Sequence, residues 1–286
     1  MKKCVLLALA AMVLTACSSI NKEEDEVVSD EQDAVVTLLV FSPYEMSEMQ
    51  APMRRAAVAV SSVVSHLDVW VTDGESWQTI NTSSEDEGFG SVRLVLDKSK
   101  TYTIYAMGHN NSEAATLTDG VVSFSDGKVR DCMFFSRQLQ VVESTAIGCK
   151  MQRIVGKFTI ETTDAKPDEV DHVKFTIHDT SLTYNLDGTL GTLIDRDVAY
   201  NSISTKNDGT LSFAFYVMSS TDAATNFDIT FTAYNSSNQA VLTREFHDVP
   251  IRNGYKTAYR GELFTTALLS STFTVDEWSE YSIVDF

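Results

Sequence analysis

From Val58 onward the sequence is a succession of short runs in which apolar and polar residues alternate, most of them closed by an Asp-Gly or Asn-Gly step. Leu67, Val69 and Val71 share one face while His66, Asp68 and Trp70 share the other. Val92, Leu94 and Leu96 repeat the pattern, and Tyr102, Ile104 and Ala106 alternate with Thr103, Tyr105 and Met107. A period of two is that of a strand, and no amphipathic helix of three turns stands out anywhere. Asp73-Gly74, Asp119-Gly120, Asp126-Gly127, Asp187-Gly188, Asp208-Gly209 and Asn253-Gly254 supply turns in which glycine takes a positive φ. A second series of strands begins near Met151, at Ile154–Thr162, Val173–Ile177, Leu211–Val217, Phe227–Ala233 and Ala240–Phe246. Short strands at this spacing predict an all-β chain of two tandem β-sandwiches, the first over 34–149 and the second over 150–286.

Two stretches lie apart from this pattern. Ala34 to Phe41 reads AVVTLLVF, a continuous apolar run, which predicts a strand covered on both faces. It is followed by a loop, Ser42 to Arg55, that ends in the pair Arg54-Arg55, and exposed loops are where proteases cut. At the other end Phe273, Val275, Trp278, Tyr281, Ile283 and Phe286 crowd the last residues. So apolar a chain end is expected to dock on something.

The start of the chain is an address. Met1-Lys2-Lys3 opens an apolar run that leads to Leu14-Thr15-Ala16-Cys17, the form of a lipobox, so 1–16 reads as a lipoprotein signal peptide and Cys17 as the lipidated, palmitate-bearing residue. The run from Val5 to Leu14 is about half the ~20 residues a bilayer span needs, and no later run approaches that length. Residues 17–33 are acidic and poor in apolar groups, which predicts a flexible tether. Placed just after the cysteine, beyond Ser18-Ser19-Ile20-Asn21, Lys22-Glu23-Glu24 resembles the acidic lipoprotein export signal of Bacteroidota, which implies the outer face of the outer membrane. The chain of 286 residues is 43% hydrophobic, enough for a core in each of two domains, and its formal net charge is −18. Loss of the signal peptide, with its two lysines, makes it more acidic still. Such a chain is repelled by nucleic acid.

Chemistry is sparse. His66, His109, His172, His178 and His247 are scattered without ligand spacing, so no metal site and no cofactor is expected. No nucleophile elbow, phosphate loop or dinucleotide fingerprint occurs, and the many carboxylates do not by themselves argue for a hydrolase. Cys132 and Cys149 either form a disulfide, which would contribute about 3 kcal/mol, or remain as two buried thiols. Trp77, beside the loop Asp73-Gly74-Glu75-Ser76, and Trp70 are candidates for a sugar platform, against the commoner role of such rings in a core.

Taken in order, the lipobox, the apolar strand before Arg54-Arg55, Thr101 to Ala106, Arg153-Ile154-Val155-Gly156-Lys157-Phe158 and Val249 to Thr257 leading to Gly261-Glu262-Leu263 resemble the fimbrillins of Bacteroidales. These are lipoprotein-precursor subunits of type V pili and their anchor proteins. The resemblance spans essentially the whole mature chain. It implies transthyretin-like (Ig-like) sandwiches and no enzymatic activity. It also implies assembly in which an Arg-specific protease cuts at Arg55 or Arg54, the first strand leaves, and a C-terminal strand from another subunit, here 272–286, fills the groove. Other fimbrial subunits, the outer membrane reached through the lipid on Cys17, and a host or bacterial surface ligand are then the expected partners. The location would be the cell surface and the fimbrium. A membrane-retained anchor and a surface glycan-binding lipoprotein are the alternatives.

Overall fold

The computed structural model describes residues 32–41, 60–204, 209–219, 223–265 and 273–277. Its first half supplies β1 (Asp33–Phe41), β2 (His66–Thr72), β3 (Trp77–Ser83), β4 (Ser91–Asp97) and β5 (Thr101–His109). These are followed by β6 (Thr116–Thr118), β7 (Val121–Ser123), β8 (Cys132–Gln140), β9 (Thr145–Lys150) and β10 (Gln152–Arg153). The second half supplies β11 (Val155–Thr162), β12 (His172–Ser181), β13 (Tyr184–Asn185), β14 (Leu193–Tyr200) and β15 (Ser212–Met218). It ends with β16 (Thr225–Tyr234), β17 (Ala240–Ile251), β18 (Tyr255–Gly261) and β19 (Phe273–Glu277). Among the described residues the only helical turn is a 3₁₀ turn at Val60–Ser62, and no helix is long and apolar enough to cross a membrane.

The strands form two sandwiches with one topology used twice. In the first, a sheet ordered β4-β1-β9 faces a sheet ordered β10-β8-β5-β2-β3. In the second, β15-β11-β18-β19 faces β14-β12-β16-β17. β1 runs antiparallel to β4 and parallel to β9, and β11 stands in the same relation to β15 and β18. The halves differ at two edges: among the described residues β18 carries β19 while β9 has no outer partner, and β8 carries β10 while β17 has none. The crossing from one half to the other runs between Arg153, paired with Met133 of β8, and Val155, paired with Met218 of β15.

Period-two alternation places one side chain in two inside each sandwich. Val36, Leu38, Leu67, Val69, Leu94, Ile104 and Ala106 fill the first core. The second is aromatic: Phe175 meets Phe213, Phe215 and Phe231 with ring centroids 5.2 to 5.4 Å apart. A third apolar cluster lies on the far side of the β2–β5–β8 sheet and takes residues from both halves, among them Trp70, Met107, Val122, Cys132, Ile154, Tyr184 and Met218. It is roofed by a small sheet ordered β13-β7-β6, in which Tyr184 of the second half pairs with Val122 of the first. The β6–β7 hairpin turns on Asp119 and Gly120, at φ 51° and 80°, the two positive values that a tight two-residue turn of matching twist requires.

Two sequence expectations change here. β1 is not covered on both faces: Ala34, Val36, Leu38 and Val40 are buried, whereas Leu39 is 39% exposed. The reason is that β1 is the middle strand of a three-stranded sheet whose outer face meets solvent. There its β-branched and leucine side chains pack sideways on neighbours such as Val95, the register partner of Val35. In addition, β17 continues past Phe246 through Pro250 to Ile251. An edge strand accommodates proline, and Asp248, at φ 53°, sits where the β16–β17 register shifts.

Candidate functional site

The first strand is the element on which an assembly role turns. β1 is held on both sides, antiparallel to β4 from Asp33–Asp97 to Leu39–Ser91 and parallel to β9 from Val36–Thr145 to Phe41–Lys150. Its ends are fixed as well. The Val40 amide donates to the Gly90 carbonyl at 2.8 Å, the Lys98 amide to the Gln32 carbonyl at 2.8 Å, and the Val35 amide to Ser144 Oγ at 3.0 Å. Taking β1 away would open a groove between β4 and β9, floored by Leu94, Ile104, Ala106 and Ile147 of the first core. The chain reaches β1 from the rest of the fold only through residues 42–59.

Cys17, Arg54 and Arg55 lie outside the described residues, as do residues 278–286. Of the apolar C-terminal segment, β19 is described, and it pairs antiparallel with β18, Thr257 opposite Val275. The start of that segment is therefore docked on its own second sandwich.

The seam between the halves is built on two of the motifs of the resemblance, Arg153–Phe158 and Val249 to Thr257. Arg153 donates to Asp131 through Nε and Nη2, both at 2.9 Å, and the two side chains are 4% and 9% exposed. This is the bidentate geometry that a buried ion pair needs to offset desolvation. Directly after it, the Ile154 amide donates to the Cys132 carbonyl at 3.1 Å and the Gly254 amide to the Val155 carbonyl at 2.9 Å, which ties Arg153–Phe158 to the Asn253-Gly254 turn. Gly156 is required by this approach, since a Cβ there would lie 2.6 Å from the Arg252 carbonyl oxygen.

Sequence reading did not single out the pair Asp68–His109. Both are fully buried on the outer face of the β2–β5 sheet, with His109 Nε2 donating to Asp68 Oδ2 at 2.8 Å. His109 Nδ1 accepts the Asn111 amide at 3.2 Å, which fixes the proton on Nε2. Asp68 Oδ2 also accepts the Ala115 amide at 2.7 Å, and the Asn81 side-chain amide reaches Oδ1 at 3.2 Å once its nitrogen is turned toward it. Both ring nitrogens and both carboxylate oxygens are engaged, so the cluster anchors the 110–115 loop to the sheet and leaves no nitrogen of His109 free for chemistry. His66, the register partner of His109, stacks on it at 5.3 Å. Among the described residues no group of three or more His, Cys, Asp or Glu could hold a metal ion.

Trp70 is 1% exposed and belongs to the third core, which removes it as a binding surface. Trp77 is 51% exposed and begins a row of rings across the sheet: Tyr105 at 6.1 Å, Phe134 a further 6.3 Å on, and Tyr184 5.2 Å beyond that. The far end of the row borders a cleft of about 520 Å³ lined by Phe134, Ser136, Lys150, Arg153, Tyr184 and Asn253. Cys132 and Cys149 are free, buried thiols on β8 and β9, in different sheets. Burial pushes Cys149 up to about 12 and Cys132 well above the usual thiol range, so neither is a nucleophile at neutral pH.

Several solved structures share this fold. A candidate polysaccharide-binding protein from Bacteroides thetaiotaomicron superposes with a TM-score of 0.55 at 12% identity, over 86% of this chain and 96% of its own. A candidate adhesin from Bacteroides ovatus gives 0.53 at 14% identity over 77% and 79% of the two chains. A second candidate adhesin, from Bacteroides thetaiotaomicron, gives 0.50 at 12% identity over 88% and 98%. At such identities the likeness establishes the two-sandwich fold, in agreement with the fimbrillin resemblance. No curated protein matches the chain. A family profile does, over residues 110–282, which takes in the roof of the third core, the seam and the second sandwich as far as β19. With more than half its length matched, the chain belongs to DUF6562, a family of unknown function.

Proposed function

We propose that this protein is a non-enzymatic component of a cell-surface fimbria, exported as a lipoprotein through Cys17 and assembled by strand exchange. In this reading a protease cuts after Arg55, or after Arg54, and β1 leaves together with the lipid. The groove between β4 and β9 then receives residues 272–286 of another subunit, whose β19 part leaves its own β18. The observation that carries the reading is the place of β1: an N-terminal strand in the middle of a sheet, joined to the rest only through the segment that holds Arg54-Arg55. Backbone pairing along an opened sheet supplies affinity, and alternate side chains supply register. An adhesive role accords with the candidate adhesins that share the fold. Sequencing the N-terminus of protein sheared from the cell surface tests this. The expected first residue is Ala56, or Arg55 if the cut falls one residue earlier. Assembled material that still begins at lipidated Cys17 would instead make the protein a retained anchor.

A second reading, a surface glycan-binding lipoprotein, draws on the exposed Trp77 and its row of rings. A flat indole presents an apolar face of the kind a pyranose covers. If it holds, Trp77→Ala abolishes retention on a polysaccharide affinity gel with little change in thermal stability, because the side chain is half in solvent. Retention equal to that of the unaltered protein would remove this reading.

A further inference from the structure

The strongest unassigned feature is a buried guanidinium in an acidic protein. Arg196 is 9% exposed on the inner face of β14, at the open side of the second sandwich. Its Nη1 donates to the Tyr216 carbonyl across the gap to β15 at 2.8 Å. Among the described residues that is its one hydrogen bond, and no carboxylate lies within ion-pair distance. An arginine has five N–H donors in a planar fork, and burying it without an anion is costly. Burial pushes Arg196 down to about 10.

Arg196 borders a pocket of about 280 Å³ between the halves, walled by Val198, Ala199, Ala214 and Tyr216 and rimmed by the loop Gly127–Arg130. That rim adds two cations, Lys128 and Arg130. The loop is fixed from below by buried Asn111, whose Nδ2 donates to Asp126 Oδ1 and to the Lys128 carbonyl, both at 2.8 Å. Two carboxylates are near, and both are engaged. Asp197 also lines the pocket, but its side chain leaves the face of β14 opposite to Arg196, where Lys174 Nζ at 3.0 Å and Thr176 Oγ1 at 2.6 Å occupy it. Asp126 lies beside Arg130 Nε at 3.5 Å.

We infer that this pocket receives a single carboxylate or sulfate group carried by a sugar-sized ligand. Arg196 holds the anion at the base, and Arg130 and Lys128 hold it at the rim. The two oxygens of a carboxylate, or two of the three free oxygens of a sulfate ester, match the guanidinium fork, and the volume accommodates about one sugar ring. The inference does not depend on strand exchange.

Titration calorimetry at low ionic strength tests it, with glucuronate, glucose 6-sulfate, neutral glucose and inorganic sulfate as probes. The purified protein should bind glucuronate and glucose 6-sulfate but not glucose, and Arg130→Gln or Lys128→Gln should each weaken binding about tenfold. Arg196→Gln should abolish it. Because Arg196 also bridges β14 to β15, the two rim variants keep the test valid if that variant does not fold. Equal binding of glucose and glucuronate, no binding of either acidic sugar, or rim variants that bind like the parent would each overturn the site. Inorganic sulfate binding as tightly as glucose 6-sulfate would overturn the sugar assignment.

Discussion

Cutting the chain after Arg55 and separating the fragment that carries β1 should cost the first sandwich most of its stability. Val36, Leu38 and Val40 are buried in a core with Leu67, Leu94, Ile104 and Ile147. At about 1.5–3 kcal/mol for each of the three larger side chains, their removal forfeits roughly 5–9 kcal/mol before the backbone is considered. That is a large share of the roughly 5–15 kcal/mol by which a whole protein is ordinarily stable. The facing edges of β4 and β9 would also lose their hydrogen-bond partner along the whole strand. In a denaturant titration the cut chain with β1 still bound should unfold much like the parent. After separation from the fragment, the first half should unfold at far lower denaturant while the second keeps its transition. Adding a peptide of residues 33–41 should restore the lost transition. An unchanged first transition after separation would show that β1 is dispensable.

Replacing Arg153 by alanine should be nearly as severe. It leaves the Asp131 carboxylate buried without its bidentate partner, and breaking a buried pair from one side costs about 3–5 kcal/mol. For a chain of this size that corresponds to a fall in Tm of roughly 10 °C. Arg153→Lys should recover only part of the loss, since an ammonium cannot make both 2.9 Å bonds in one plane. The double variant Asp131→Leu/Arg153→Met, with both charges gone, should be close to the parent in Tm. A single alanine variant with unaltered Tm would contradict the structural weight given to the pair.

What could be read from the sequence follows from which residues face a core. β2, β4, β5, β12, β15 and β16 are legible because alternate side chains enter a sandwich interior. The edge strands β3 and β14 were missed for the converse reason. Trp77–Ser83 buries little and Leu193–Tyr200 carries Asp195, Arg196 and Asp197, since charged or polar residues protect a sheet edge from unwanted pairing. The apolar run of β1 suggested cover on two faces because β propensity and burial write the same letters, and only the sheet's position tells them apart. Asp68 with His109, Asp131 with Arg153, and Arg196 without any acid were illegible. Their partners are set by strand register and by which loop roofs which face, and no local pattern encodes either.

Each half pairs its first strand in parallel with a late one, β1 with β9 and β11 with β18, and this decides how each half meets mechanical load. A pull that enters at the start of the first strand and leaves at the end of its parallel partner draws the two in opposite directions along their shared axis. The ladder from Val36–Thr145 to Phe41–Lys150, and that from Lys157–Lys256 to Thr162–Gly261, are then stressed in shear, with the evenly spaced bonds of a parallel pair bearing the force together. An antiparallel hairpin pulled at its two free ends would instead open one bond at a time, like a zip. Each half is thus arranged, while its own first strand is in place, to resist tension that enters at that strand and leaves at β9 or β18.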